Sequence, residues 1–269
     1  MKCLIISGIY PPDIGGPATF AENLIYELNS RGYNVTLLSL CEQKSHIIRR
    51  QNFTLIRFSR KYPKFLRFIF ITFLTRILIF GKDLVLATGM HEEVGLALLG
   101  SKTLSIAKIV GNPIWERSIN RQKTALSIED FSQQRNFRIR LSIQKFLFKF
   151  AINQFKFVYT PGEHLAQLMK SFGIEREIKV LSNAVHPKPV NLPSRGRKKY
   201  DLIVVARLVR WKRVDLSLEV ASKLNFRIAV IGDGPELKNL KKISENLRVD
   251  VDFLGSKSES ETQIYFKIS

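Results

Sequence analysis

The feature that most narrows the folds open to this chain is a regular exchange of two periods. Short runs rich in Ile and Val, near 2–7, 35–40, 54–58, 84–88, 106–110, 156–160 and 178–182, alternate with longer stretches of helical period near 18–30, 65–80, 92–101, 129–152 and 163–172. A strand written as an unbroken apolar run is covered on both faces, and a helix between successive strands is how parallel strands are joined. The predicted class is α/β, a doubly wound parallel sheet with helices on both sides.

After Val185 the periodicity stops in HPKPVNLPSRGRKKY, three prolines and a basic cluster that read as a linker over 186–199. A second series then begins: DLIVVAR, a helix near 212–223, FRIAVIG, a helix near 235–247, VDVDFLG and a helix near 258–267. The expected organisation is a first domain over 1–185 and a second over 200–269. With three strands, the second sheet is expected to be incomplete, because three parallel strands without their full set of helices leave apolar surface open.

Composition sets the surroundings. The 269 residues are 45% hydrophobic with two cysteines, which excludes disorder, collagen and a disulfide scaffold. Cys3 and Cys41 lie in apolar runs without a Cys or His partner, as buried reduced thiols of a cytosolic protein would. MKCLIISGIYPP reads as a first strand rather than a signal peptide. Residues 1–199 carry 31 basic and 13 acidic side chains, +18 of the net +20, so the front of the chain is drawn to something anionic.

Residues 65–80, FLRFIFITFLTRILIF, are the most hydrophobic stretch but fall short of the roughly 20 needed to span a bilayer. On a helical wheel Arg67, Thr72, Thr75 and Arg76 share one half, and Leu66, Ile69, Phe70, Phe73, Leu74, Ile77 and Phe80 fill the other. Two readings stand. Flanked by Arg60, Lys61 and Lys64, the helix lies in an anionic membrane interface with its aromatic side down, or it packs on the sheet with snorkelling arginines.

Two loops suit a phosphate. The first strand is followed by Gly15-Gly16 and at once by a helix, where backbone approaches a ligand closely and free N–H groups and the helix dipole favour an anion. The spacing is neither the dinucleotide fingerprint nor a P-loop, and a plain strand-to-helix loop uses the same residues. In VARLVRWKR, Arg207 closes a strand and Lys212 opens the next helix; ligands of open α/β sheets bind at that edge, so the pair is a clamp for a diphosphate or a solvated basic loop.

These pieces carry a resemblance. YPPDIGGPATFAENLIYELNSRGYNV, VARLVRWKRVDLSLEVA, VIGDGPEL and FLG, in this order, resemble the retaining glycosyltransferases of family 4, whose GT-B fold sets two Rossmann-like domains facing a cleft. The segment VGNPIWERSINRQKTALSIEDF resembles a bacterial subset that builds cell-envelope polysaccharides. The resemblance implies glycosyl transfer with retention from a nucleotide-diphosphate sugar to a lipid-linked or polysaccharide acceptor. It implies no metal or other cofactor, no nucleic-acid partner, and a cytoplasmic protein peripheral at the inner face of the membrane. By it, Gly15, Gly16, Arg207, Lys212 and Asn183 bind the donor, Asn183 matching an Asn-Gly-Val segment with Ala184 in place of the glycine.

The acceptor side falls to Asn112, Trp115, Glu116 and Arg117, Trp115 serving equally as a packing anchor. No catalytic histidine carries over, and His91 is the nearest candidate for a sugar contact, or else a structural histidine. The sequence is read as holding no Asp-x-Asp pair of the metal-dependent kind. It also lacks the family's two glutamates in a Glu-Gly-Phe-Gly context, so the resemblance implies a shortened chain, weakly active, or a non-catalytic nucleotide-sugar-binding protein.

Overall fold

The computed structural model describes all residues except 14, 121–123, 125, 135–138, 185–198 and 268–269. The expected linker at 186–199 thus lies, apart from Lys199, outside the described residues. The chain divides into two compact units: Met1–Trp115 with Leu126–Ala184, and Glu116–Ala125 with Val185–Ser269.

The first unit runs β1 (Lys2–Ser7), α1 (Gly16–Ser30), β2 (Asn34–Cys41), β3 (His46–Arg50), β4 (Phe53–Ser59), α2 (Lys64–Ile79), β5 (Leu84–Ala87), α3 (His91–Ala97), β6 (Leu104–Lys108), α4 (Pro113–Asn120), α5 (Ile128–Gln133), α6 (Ile139–Ile152), β7 (Phe157–Thr160), α7 (Glu163–Ser171) and β8 (Ile178–Val180). Its eight strands are ordered β3-β4-β2-β1-β5-β6-β7-β8. All neighbours are parallel, with Lys2 opposite Asn34 and Val35 opposite Phe53, except that β3 runs antiparallel to β4.

Strand order fixes the layers. The chain steps one way from β1 to β2 and the other way from β4 through β8, so right-handed crossovers put α1 on one face and α2, α3, α6 and α7 on the opposite one. Under α1, Cys3, Ile5, Val35 and Leu37 pack with Ile25 and Leu55. Both cysteines are buried and free.

Four expectations are corrected. The sheet is mixed, because the edge strand β3 was missed: all five of its residues are exposed, so it lacks the apolar signature of a covered strand. Helix α4 was also missed. The single helix expected at 129–152 is two, since Gln134 after α5 takes an extended conformation at ψ 126°. The fourth correction concerns α2. Its buried residues are Ile71, Thr75 and Ile79, while Phe65, Phe70, Phe73, Ile77 and Phe80 face outward. The half that looked polar is the half on the protein. The arginines there are spent on carbonyls: Arg76 donates to Ala97 and Leu99 at 3.2 and 3.0 Å, and Arg67 donates to Arg60 at 3.0 Å.

The second unit carries β9 (Leu202–Val205), a 3-10 turn at Arg210–Lys212, α8 (Val214–Leu224), β10 (Ile228–Ile231), α9 (Leu237–Leu247), β11 (Val251–Gly255) and α10 (Glu259–Lys267). Its described sheet is parallel with the order β11-β10-β9. Only the central β10 is wholly buried; β9 and β11 are half-exposed. The core joins Leu208, Val214, Leu218, Ile228, Val230 and Leu240. Among the described residues no helix is long and apolar enough to cross a membrane.

Helices α3 and α6 meet where Gly95 lies against Ala151, and a Cβ built on Gly95 stands 2.6 Å from both Cα and Cβ of Ala151. Gly95→Val forces the two helices apart at backbone, an overpacking cost of about 1–3 kcal/mol. At roughly 2–4 °C per kcal/mol, the transition of the first unit should fall by several degrees in scanning calorimetry. An unchanged melting temperature would show that the helices part freely.

Candidate functional site

In both sheets the strand-to-helix loops gather at the carboxyl edge. In the first unit Gly15 precedes α1, with Pro17 in the opening turn. A Cβ added to Gly16 would meet no atom within 4 Å, so its bare backbone faces open space. The N–H groups of Ala18 and Thr19 already bond the Gly15 carbonyl at 2.9 and 3.1 Å.

Two arginines that the sequence did not single out for this role hold the loop ahead of Gly15. Arg57, buried in β4, donates to the carbonyls of Tyr10, Pro11 and Leu40 and stacks over the Tyr10 ring at 5.4 Å. Arg60 donates to the Gly8 carbonyl at 2.9 Å and to Asp13 and Glu42 at 2.8 and 2.9 Å. Arg60 was expected among the charges flanking the amphipathic helix; its guanidinium is instead turned to this loop. A third residue, Lys108, ends β6 with its side chain 4% exposed and its ammonium 3.7 Å from the Phe20 ring centroid. Burial pushes its pKa down. A lysine inside an apolar strand gave no sequence signal beyond its charge.

His91 opens α3 and is buried, its ring edge-on to Phe148 and Phe155, with Nε2–H donating to the Lys108 carbonyl at 3.2 Å. Burial pushes its pKa down, with Glu92 and the Lys108 carbonyl opposing. It serves as a packing residue joining α3 to β6, and no sugar contact is proposed for it. Asn112 is the cap of α4: its Oδ1 accepts the N–H groups of Ile114 and Trp115, both at 3.1 Å. Its Nδ2 is buried without a hydrogen-bond partner among the described residues. Trp115 is buried, and its indole N–H donates to the Leu126 carbonyl at 3.0 Å. Asn183 follows β8 in exposed irregular chain.

In the second unit the loop after β9 is fixed by the loop after β10. Leu208 N–H bonds the Asp233 carbonyl at 2.9 Å, and Glu236 N–H bonds the Leu208 carbonyl at 3.1 Å. The approach needs glycine: a Cβ on Gly232, at φ 139°, would stand 2.9 Å from the Ala206 carbonyl carbon, and one on Gly234 would stand 2.7 Å from that of Leu208. The GDG triplet inside VIGDGPEL was the available signal. This frame presents Arg207 and Lys212, both exposed. Among the described residues, neither has a carboxylate within salt-bridge distance, whereas neighbouring Arg213 is paired with Asp215 at 3.1 Å.

Glu116, expected on the acceptor side, falls within the second unit and is half-buried. Burial pushes its pKa up, while Arg117, Lys212 and Arg207 pull it down. Contrary to the sequence reading, the chain does hold an Asp-x-Asp pair: Asp250, just before β11, and Asp252 within it. Both are engaged structurally: Asp252 accepts from the Tyr200 hydroxyl at 2.6 Å and from Arg227 at 3.2 Å, and Asp250 lies 3.6 Å from Arg227. Among the described residues, no group of three or more His, Cys, Asp or Glu is placed to hold a metal.

Comparison with known proteins gives the fold. Solved structures that share this architecture include several glycosyltransferases and a UDP-N-acetylglucosamine 2-epimerase. The lipopolysaccharide glycosyltransferase WaaG aligns over 97% of this chain and 72% of its own, with a TM-score of 0.63 and 13% identity. Staphylococcus aureus TarM, solved with fondaparinux, α-GlcNAc-glycerol and UDP, aligns over 100% of this chain and 80% of its own, with a TM-score of 0.63 and 11% identity. At these identities the likeness establishes the fold. In sequence, residues 191–269 match the family described as "Glycosyl transferases group 1". The alpha-monoglucosyldiacylglycerol synthase of Streptococcus pneumoniae is 24% identical over 294 aligned residues, covering 99% of this chain. The chain spans 64% of the length of that relative.

The half-buried Glu116 carries a pH signature. Its folded pKa lies above the unfolded value, so its contribution is fully present below the ordinary glutamate range near about 4.3 and is lost as pH rises through the folded value. Glu116→Gln removes that loss. The variant should match the parent in melting temperature near pH 4 and exceed it increasingly toward pH 7; a gap that does not change with pH would contradict the burial of this carboxyl.

Proposed function

We propose that this chain transfers a sugar, with retention and without a metal, from a nucleoside-diphosphate sugar to a lipid-linked or polysaccharide acceptor in the bacterial cell envelope. The observation that carries the reading is the pair Arg207 and Lys212. Two cations stand exposed at a sheet's carboxyl edge, on a loop fixed backbone to backbone, with no carboxylate within salt-bridge distance among the described residues. A surface charge that serves only solubility needs no such frame, whereas a diphosphate needs two donors of fixed position.

In the proposed reaction the bond from the anomeric carbon to the donor phosphate breaks, and its electron pair leaves with the diphosphate. Arg207 and Lys212 stabilise that charge, the main contribution a protein makes to such a step. The acceptor hydroxyl attacks on the face the diphosphate left, its oxygen forming the new bond to the anomeric carbon and its proton passing to the departing diphosphate oxygen. Gly15, Gly16 and Asn183 are proposed as donor-side residues of the first unit, and Asn112, Trp115, Glu116 and Arg117 as acceptor-side residues. The proposed domains are 1–185 and 200–269, joined by 186–199.

The comparisons support this reading: one relative is a synthase of a glucosyl lipid, and one neighbour was solved with UDP and a glycosylated glycerol. We further propose a cytoplasmic protein held at the inner face of the membrane by the amphipathic helix α2 within residues 60–80, with no nucleic-acid partner. A second reading, a nucleotide-sugar-binding protein without turnover, is favoured by one observation: these 269 residues contain no Glu-Gly-Phe-Gly segment.

Titration calorimetry with UDP-, GDP- and ADP-sugars tests the clamp. One donor class should give heat, and Arg207→Ala or Lys212→Ala should each weaken it by about 10- to 100-fold, the loss of a charge-assisted contact of about 1.5–3 kcal/mol. Silence from every donor, or full affinity in the double variant, would remove the basis of the proposal. Turnover by the 269-residue chain is expected to be slight; rates like those of a full-length relative would exclude the binding-only reading.

A further inference from the structure

The outward face of α2 is one part of a larger surface. Helix α6 was expected to be an ordinary covering helix, yet Ile139, Ile143, Phe146 and Phe150 form a second exposed stripe at i, i+4, i+7 and i+11. Ile139 is 81% exposed and Phe146 is 69% exposed, and Phe146 stacks on Phe150 with centroids 6.2 Å apart. On α2, Phe65, Phe73 and Phe80 are 74%, 64% and 92% exposed.

The two stripes lie on one side of the first unit. Helix α3 packs against both α2 and α6, and all three cover the same face of the sheet. Gly95 seats α3 on α6, and the Arg76 bonds to Ala97 and Leu99 tie α2 to α3. An apolar recess of about 480 Å³ opens between α2 and α3, lined by Phe68, Ile69, Thr72, Phe73, Leu96 and Leu99 among others. Meanwhile the hydroxyls of Thr72 and Thr75 are buried without a partner among the described residues. Burying hydroxyls while exposing phenylalanines inverts what water selects, and exposed apolar surface of this kind marks an interaction surface.

Charge chooses the occupant. Neither α2 nor α6 contains an acidic residue, and Lys61, Arg140 and Lys102 are exposed beside the stripes. Apolar stripes on two helices that carry cations and no carboxylate suit an anionic lipid interface, where aromatic side chains sink below the headgroups and ammonium and guanidinium groups stay among the phosphates. We propose that α2 and α6 form one two-helix docking face that seats the first unit in an anionic bilayer surface. The inference rests on the proposed membrane role of α2 and adds α6 as an equal partner.

The test is sedimentation of the 269-residue chain with vesicles of phosphatidylcholine alone or with about one third phosphatidylglycerol. Both pairs of substitutions are at exposed positions: Ile143→Ser with Phe146→Ser on α6, and Phe70→Ser with Phe73→Ser on α2. The parent should bind the anionic vesicles and be released at high salt, and either pair should lower partitioning by about tenfold or more. As a second measurement, Phe146→Cys carrying a nitroxide should be shielded from a polar relaxant on those vesicles. If the α6 pair binds like the parent while the α2 pair does not, or if the nitroxide stays in water, the two-helix face is wrong and the α2 reading stands. If the parent ignores anionic vesicles, both fall; if it is then a dimer that the α6 pair dissociates, the face is a contact between copies.

Discussion

A parallel sheet buried on both faces is the constraint on which this structure depends. Because β1, β2 and β5 are apolar on both sides, helices must cover both, and every crossover must return the chain to the same end of the sheet. The loops from strand to helix therefore collect at one edge. There they supply what a folded backbone can offer an anion: N–H groups at helix starts, helix dipoles, and a small number of cations at strand ends. The placement of Gly15–Gly16 after β1, Lys108 at the end of β6 and Arg207 after β9 follows from topology before any chemistry is considered.

Topology alone leaves loops mobile, and here each is tied down by its neighbour. In the first unit buried Arg57 and half-buried Arg60 spend their donors on the carbonyls of residues 8–11, so two cations act as backbone clamps rather than as ligand contacts. In the second, Gly232 and Gly234 allow one loop to hydrogen-bond another along its backbone. Both devices place a loop without using a side chain at its tip, which keeps Gly16, Arg207 and Lys212 turned to solvent. A loop fixed in this way presents its groups without reorganising.

Most of the architecture was legible because buried parallel strands write themselves as Ile- and Val-rich runs, as in LIVV of β9 and IAVI of β10. What was not legible failed for identifiable reasons. The strand β3 is exposed on every residue and shows no burial pattern. Helix α4 starts from the buried cap Asn112, whose role is visible only when its Oδ1 meets two N–H groups. The wheel drawn for α2 separated polar from apolar correctly but could not say which half faced the protein. The usual rule turns the apolar half inward, and here Thr75 is buried with Ile71 and Ile79 while the phenylalanines face out. At the site, Arg207 and Lys212 were readable from their place after a strand, whereas Arg57 and Lys108, charged residues in strands, were not, because their partners are carbonyls and a ring brought in from elsewhere.

The distribution of charge separates the two anionic partners proposed for this chain. A diphosphate is held by two or three groups of fixed geometry, and the second unit presents such a pair from a region that is nearly neutral overall, with 12 basic and 10 acidic residues in 200–269. An excess of +18 in residues 1–199 is far more than any nucleotide requires. A surplus of that size acts on something extended, because long-range attraction sums over many charges and falls off with a screening length of about 8–10 Å. Part of it sits on two helices without a single carboxylate, beside aromatic side chains that water would not select. The two partners proposed for this chain, one compact and one planar, thus draw on different features: a pair of fixed cations, and two helices that carry no carboxylate.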